Sequence, residues 1–146
     1  MQRYKCTISY DGTLFSGFQI RPKERTVQSE LEKALKKIHK GTTVKVVASG
    51  RTDAGVHAKG QVLHFDTPLS ISEKSWPIAI QTKLPRDITV LKVEKTTDTF
   101  HSRFDSVGKE YRYYIRTAQL NDPLTRNYQS HYSYSLNLDQ MREAVT

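Results

Sequence analysis

The sequence has 146 residues, a length that suits one domain with a single core and leaves little room for a second. Lys and Arg outnumber Asp and Glu by 23 to 15, and the resulting formal net charge of +8 favours a polyanionic partner such as nucleic acid. The chain lacks an apolar membrane span and a signal-peptide core, and its lone cysteine excludes an internal disulfide, so we expect a cytoplasmic protein with no membrane partner.

The first 40 residues predict a strand followed by a helix. Apolar and polar residues alternate from 4 to 10, the pattern of a half-buried strand, and we expect Cys6 within it to be buried. Thr26 is suited to cap a helix from Val27 to about Lys40. The outer face of this helix carries Lys33, Lys36, Lys37 and Lys40.

The middle of the chain predicts three strands and a second helix. The strands are expected at Val44–Ser49, Gln61–Thr67 and Ile88–Val93. Ser70 and Glu73 have capping-box spacing for a helix that runs to Leu84, although Pro77 indicates that this helix restarts at Ser75. The order β-α-β-β-α-β predicts an α+β fold of the ferredoxin-like type, an antiparallel sheet with its helices on one face.

The C-terminal part predicts a fifth strand and the beginning of another helix. Lys109–Arg116 alternates so that Tyr111 and Tyr113 share one face, and Asn137 is suited to cap a helix that has barely two turns before the chain stops. We therefore predict a domain over residues 1–116, a connection with a cut helix over 117–146, and a chain that is the first part of a longer protein.

Asp53 lies in a glycine-rich loop after the second strand, in the segment GRTDAGVHAKG (50–60). Glycines permit close approach of a backbone or a ligand, and Arg51 beside the carboxylate favours its ionised form, as a nucleophile or electrostatic stabiliser requires. The alternative is that Asp53 only caps a turn through an Asx-type bond and Arg51 is a surface partner. Spacing alone favours that alternative.

The histidines do not have the spacing of a metal site, so we expect no metal. His57 and His101 are expected to contact phosphate or backbone. Tyr111 has two interpretations, as a platform on which an unpaired base stacks or as a residue of the core with a satisfied hydroxyl.

Six segments occur in one order and at one spacing: YDGTLFSGFQ (10–19), TVQSELEKAL (26–35), GRTDAGVHAKGQVLHF (50–65), LPRDITV (84–90), FHSRFDS (100–106) and KEYRYYI (109–115). Together they resemble the tRNA pseudouridine synthase A family, and G-R-T-D-x-G-V-H is the most specific of them. The resemblance covers essentially the whole chain but only the N-terminal half, or somewhat more, of a family member.

The resemblance implies isomerisation of uridine to pseudouridine at positions 38, 39 and 40 of the tRNA anticodon stem-loop, without metal or organic cofactor, by a homodimer. It implies that Asp53 is the catalytic carboxylate, that Arg51 pairs with it, and that Tyr111 stacks on the target base. The remaining residues expected to bind substrate are Arg21, Lys23, Arg25, His57, His101 and Arg103.

Three chemical routes remain open for Asp53: attack at the sugar C1′, addition at the base C6, or proton abstraction at C2′. The later segment of the family has no counterpart here, so we expect the isolated fragment to fold but to isomerise tRNA poorly. The alternative function is a non-catalytic RNA-binding module, which the same sheet and basic face would also suit.

Overall fold

The computed structural model describes residues 1–145, so Thr146 at the end of the predicted 117–146 segment lies outside the described residues. Two compact units are present, Met1–Gly108 and a second unit that begins at Lys109. None of the helices in the described residues has the length and apolar character needed to cross a membrane. The domain boundary after Arg116 stays a prediction.

The first unit contains four strands and two α-helices: β1 (Gln2–Tyr10), α1 (Val27–Ile38), β2 (Val47–Ala48), β3 (Ala58–Thr67), α2 (Ser75–Gln81) and β4 (Ile88–Thr96), with a short 3₁₀ turn at Gly12–Leu14. The strands form one sheet in the order β2-β3-β1-β4, and every neighbouring pair is antiparallel. The predicted α+β class is thus confirmed.

Alternating apolar residues on the strands and one apolar side of each helix form the core. Trp76 of α2 is fully buried, and its ring centroid lies 5.4 Å from that of Tyr4 on β1 and 5.3 Å from that of Phe65 on β3. Leu31 of α1 is buried in the same core. Cys6 is also buried, as expected, and burial raises the pKa of its thiol to about 12.

Helix α1 begins at the predicted residue because its first turn is capped from both sides. The Thr26 hydroxyl accepts a hydrogen bond from Ser29 N, and Ser29 Oγ accepts one from Thr26 N. These two bonds satisfy amide groups that have no partner within the helix. Lys33, Lys36 and Lys37 on its outer face are exposed. The helix ends at Ile38, two residues before the predicted end, so Lys40, also exposed, follows it.

Two sequence predictions are wrong in extent, those of the second strand and of the second helix. The second strand pairs only at Val47–Ala48, because Val44 and Val46 before it are buried by packing and not by strand pairing. The capping box at Ser70 and Glu73 does not start α2, which begins at Ser75 as Pro77 indicated and ends at Gln81. Pro77 fits there because the first turn of a helix needs no amide donors.

The predicted fifth strand is formed only at its end. In the second unit, β5 (Ile115–Arg116) pairs in parallel with β6 (Ser130–His131), while residues 109–114 have no regular structure. Helix α3 (Leu138–Ala144) begins after Asn137, whose side chain accepts a hydrogen bond from Gln140 N, as predicted.

On the first unit's sheet face opposite the helices, residues 97–105 are held by hydrogen bonds. Arg3 donates to both carboxylate oxygens of Asp66, at 2.8 and 3.0 Å, and to the carbonyl of Phe100 at 2.6 Å. Ser102 donates its hydroxyl to Val47 O at 2.6 Å and its amide to His64 Nδ1 at 3.1 Å. These bonds fix the segment that carries His101 and Arg103.

Candidate active site around Asp53

The loop between β2 and β3 packs against the segment that follows β1. Phe18 N donates to Thr52 O at 3.0 Å, and Gly55 N donates to Phe15 O at 3.3 Å. The hydroxyl groups of Tyr10 and Thr52 lie 2.7 Å apart. The backbone is therefore held on both sides of Asp53.

Two glycines allow the loop to come this close. A Cβ atom at Gly12 would lie 1.9 Å from Val56 O, and one at Gly17 would lie 2.9 Å from Thr52 O. Gly17 also has a φ of 88°, in the left-handed region that favours glycine. A side chain at either of these two positions in YDGTLFSGF would collide with the backbone of the GRTDAGVH loop, so both positions require glycine.

His57 makes a third contact between the same two segments. Gly12 N donates a hydrogen bond of 2.8 Å to His57 Nδ1. Asp11 Oδ1 lies 3.3 Å from the same nitrogen. Of the two contacts expected for His57, the structure shows the one to backbone.

Asp53 stands at the start of a tight turn. Its carbonyl accepts a hydrogen bond from Val56 N at 3.1 Å, and Gly55 adopts a φ of 80° inside the turn. Asp53 is exposed, and no hydrogen bond or ion pair within residues 1–145 involves its carboxylate. The Asx-type capping bond of the alternative interpretation is not formed.

Arg51 lies two residues before Asp53 in the same loop, and it is also exposed. The salt bridges of the described residues do not include one between Arg51 and Asp53. Their pairing stays a prediction.

The basic loop before α1 contains residues in two different situations. Arg21 and Lys23 are exposed, and Lys23 has a φ of 61°. Arg25 instead donates two hydrogen bonds to the carboxylate of Asp87, at 2.8 and 2.9 Å, and its guanidinium carbon lies 4.1 Å from the centroid of the Phe15 ring. The hydrogen bonds that Arg25 donates to Asp87 raise the pKa of its guanidinium. Arg25 thus ties this loop to the start of β4.

His101 and Arg103 lie in the segment that Arg3 and Ser102 hold on the sheet. His101 Nδ1 accepts hydrogen bonds from Arg103 N and Phe104 N, both at 3.2 Å, so this histidine contacts backbone as His57 does. The Arg103 side chain is exposed. In the part of the chain that the structure describes, no hydrogen bond joins either residue to the Asp53 loop.

Tyr111 belongs to the second unit, where its side chain is 62% exposed. Its exposure contradicts the interpretation as a buried core residue. Stacking on the target base stays a prediction.

Sequence reasoning missed the residues that hold the loop, among them Tyr10, Gly12 and Thr52. The available signal was the pair of glycines that follow β1, because glycines permit both positive φ and a close approach of two backbones. The sequence does not reveal which segment makes that approach.

Comparison with known proteins identifies relatives over almost the whole chain. The family model described as tRNA pseudouridine synthase matches residues 7–105. The relatives named tRNA pseudouridine synthase A include proteins from Bacillus pumilus, Bacillus subtilis and Listeria monocytogenes, which are 56%, 57% and 54% identical over 98%, 98% and 99% of this chain. The chain spans 58% of the length of each of these curated relatives.

Proposed function

The chain belongs to the tRNA pseudouridine synthase family, and we propose that it supplies the catalytic aspartate of an enzyme that isomerises uridine to pseudouridine in tRNA. The observation that carries the proposal is the exposed carboxylate of Asp53 on a loop whose backbone is hydrogen-bonded on both sides. A rigid support with a free reactive group is what a catalytic residue requires.

The reaction explains why a carboxylate is needed. The N1–C1′ bond breaks, uracil turns, and a C5–C1′ bond forms. C5 loses its proton and N1 gains one, so the product is an isomer of the substrate. An ionised Asp53 serves this exchange by attack at C1′, by addition at C6, or by removal of the C2′ proton. Each route requires that the nucleotide be flipped out to reach the carboxylate. None of the three calls for a metal or organic cofactor.

Substrate binding is proposed to use charge and stacking. Arg51 pairs with the Asp53 carboxylate, and the exposed ring of Tyr111 stacks on the target uracil. Phosphates of the tRNA are bound by the exposed cations Arg21 and Lys23, with the lysine face of α1 adding charge. Arg103, which is exposed, completes the proposed substrate-binding set. Arg25, His57 and His101 were also expected to bind substrate, but each already has a partner within the protein.

We further propose that residues 1–116 are one ferredoxin-like half of a pseudouridine synthase fold and 117–146 the connection that follows it. The element order and the strand order β2-β3-β1-β4 are compatible with this assignment. The substrate site is proposed to be the anticodon stem-loop, and the enzyme a cytoplasmic homodimer, as the family resemblance implies.

The test uses the protein as its gene encodes it and an unmodified tRNA transcript. We expect wild type to form pseudouridine, Asp53→Asn to form none while it binds tRNA with nearly unchanged affinity, and the control Asp98→Asn, at another exposed carboxylate, to remain active. If neither wild type nor Asp53→Asn forms product although both bind tRNA, the protein is an RNA-binding module and the proposed activity is wrong.

A further inference from the structure

We infer that His57 is a positioning residue, whose Nδ1 atom holds the Asp53 loop in its working geometry through the amide of Gly12. The inference rests on the proposed function, because positioning has meaning only if Asp53 performs a reaction. It assigns to His57 a role through the backbone, in place of a direct contact with substrate.

The geometry defines the protonation state that this role requires. Gly12 N–H donates to His57 Nδ1 at 2.8 Å, so in the neutral ring the proton resides on Nε2. Gly12 is buried, and an amide without a partner there carries a desolvation cost. The imidazole is thus the acceptor that a buried donor needs.

The hydrogen bond between Gly12 and His57 holds the part of the loop that follows Asp53, which is otherwise weakly held. Before Asp53, Thr52 is fixed by a backbone bond of 3.0 Å and by a hydroxyl contact of 2.7 Å. After Asp53, the bond from Gly55 N to Phe15 O is 3.3 Å long. His57, only four residues after Asp53, adds the shorter bond on this side. Its loss leaves the carboxylate supported mainly from one side.

Asp11 reinforces the arrangement from the other segment. Its Oδ1 atom accepts hydrogen bonds from Thr13 N at 3.0 Å and from Thr13 Oγ1 at 2.5 Å, which shapes the turn that presents Gly12 N–H. The same oxygen lies 3.3 Å from His57 Nδ1, so a ring protonated at Nδ1 would donate to Asp11 and give up the Gly12 bond. The support therefore depends on an acceptor at this position.

Two near-isosteric variants separate the acceptor from the shape of the side chain. In His57→Asn, the Oδ1 atom is as many bonds from the backbone as Nδ1 and accepts the Gly12 amide, whereas His57→Leu removes the acceptor. The His57 side chain is 30% exposed, so neither change creates a large buried cavity. Both are compared with wild type in the protein as its gene encodes it.

We expect His57→Leu to lower kcat for pseudouridine formation by about 10- to 100-fold, since small misplacement of a catalytic group has effects of this order, with KM for tRNA changed by less than about 3-fold. We expect His57→Asn to retain most of the activity. Amide hydrogen exchange at Gly12 should be faster in His57→Leu than in wild type and His57→Asn.

The outcomes are distinguishable from failure of the proposed function. If wild type makes no pseudouridine, the proposed function is wrong and the positioning role is wrong with it. If wild type is active and the Leu and Asn variants have equal kcat, or if Gly12 exchange is the same in all three proteins, His57 does not position the loop. A rise in KM without a fall in kcat would mean that His57 contacts the tRNA, and would also overturn the inference.

Discussion

The hydroxyl of Tyr10, the last residue of β1, lies 2.7 Å from Oγ1 of Thr52, the residue before Asp53. Tyr10 is buried, and the hydroxyl pair thus connects the central sheet to the loop of the candidate site. A second donor, Gln61 Nε2, lies 3.5 Å from the Tyr10 hydroxyl and donates to Gly50 O at 2.8 Å. These contacts fix the N-terminal side of the loop.

We predict that Tyr10→Phe and Thr52→Val each lower the free energy of unfolding by about 1 kcal/mol, because each removes one partner of a partly buried hydrogen bond. The double variant should lose less than the sum, with a coupling of about 0.5 kcal/mol or more. Urea denaturation of all four proteins measures this cycle. Strict additivity would show that the two hydroxyl groups act independently.

The close approach of two backbones at Gly12 predicts a steric effect. A methyl group there would overlap the Val56 carbonyl, so Gly12→Ala must push the loop away and should cost about 1–3 kcal/mol of stability. Pseudouridine formation should fall with it. Gly108→Ala is the matched control, because a Cβ at Gly108 meets no atom within 4 Å. Equal thermal denaturation midpoints for the two variants would contradict the packing argument.

The elements that the sequence predicted well are those whose burial repeats along the chain. Strand β1 and helix α1 bury one face each, and that leaves a period of two or of about 3.6 residues in the sequence. The second strand was predicted to be too long because Val44 and Val46 are buried by packing in the core and do not pair with another strand. Residues 109–116 alternate in the same way, yet only the last two residues form a strand.

The candidate site was predictable in its chemistry but not in its support. Asp53 was identifiable through the resemblance of its segment to a known family, because spacing alone favoured a turn cap. The bond from Gly12 to His57 joins residues 45 positions apart, and the Arg25 pair with Asp87 spans 62. Such contacts leave no periodic signal, so Arg25 was predicted to bind phosphate although its guanidinium is held by Asp87.

Arg25 is held by Asp87, whereas Lys23 of the same loop is exposed, so we predict opposite effects when each is replaced. Arg25→Ala should lower stability by about 1 kcal/mol through loss of a partly exposed bidentate pair, and should leave the salt dependence of tRNA binding unchanged. Lys23→Ala should leave stability unchanged and reduce the slope of log affinity against log salt by about 1. Binding titrations at several salt concentrations provide the comparison. A reduced slope for Arg25→Ala would instead place this side chain on a phosphate.

His64 provides a prediction for the pH dependence of stability. It is buried on β3, where burial, the charge of Arg3 and the neighbouring His101 lower its pKa from 6.5 to about 4, opposed in part by Asp66. Its Nδ1 accepts the amide of Ser102, which requires that nitrogen to be unprotonated. The folded state therefore contains the neutral ring at pH values at which the unfolded chain is already protonated.

Between pH 6.5 and about 4, His64 binds a proton in the unfolded state but not in the folded state. The free energy of unfolding therefore falls as the pH falls through this window. Above pH 6.5 the stabilisation from the neutral His64 is fully present. The slope from one such group is at most about 1.4 kcal/mol per pH unit. We expect His64→Asn, which keeps an acceptor for Ser102, to flatten the curve of unfolding free energy against pH in this window. Parallel curves for wild type and His64→Asn would mean that His64 is charged in the folded protein.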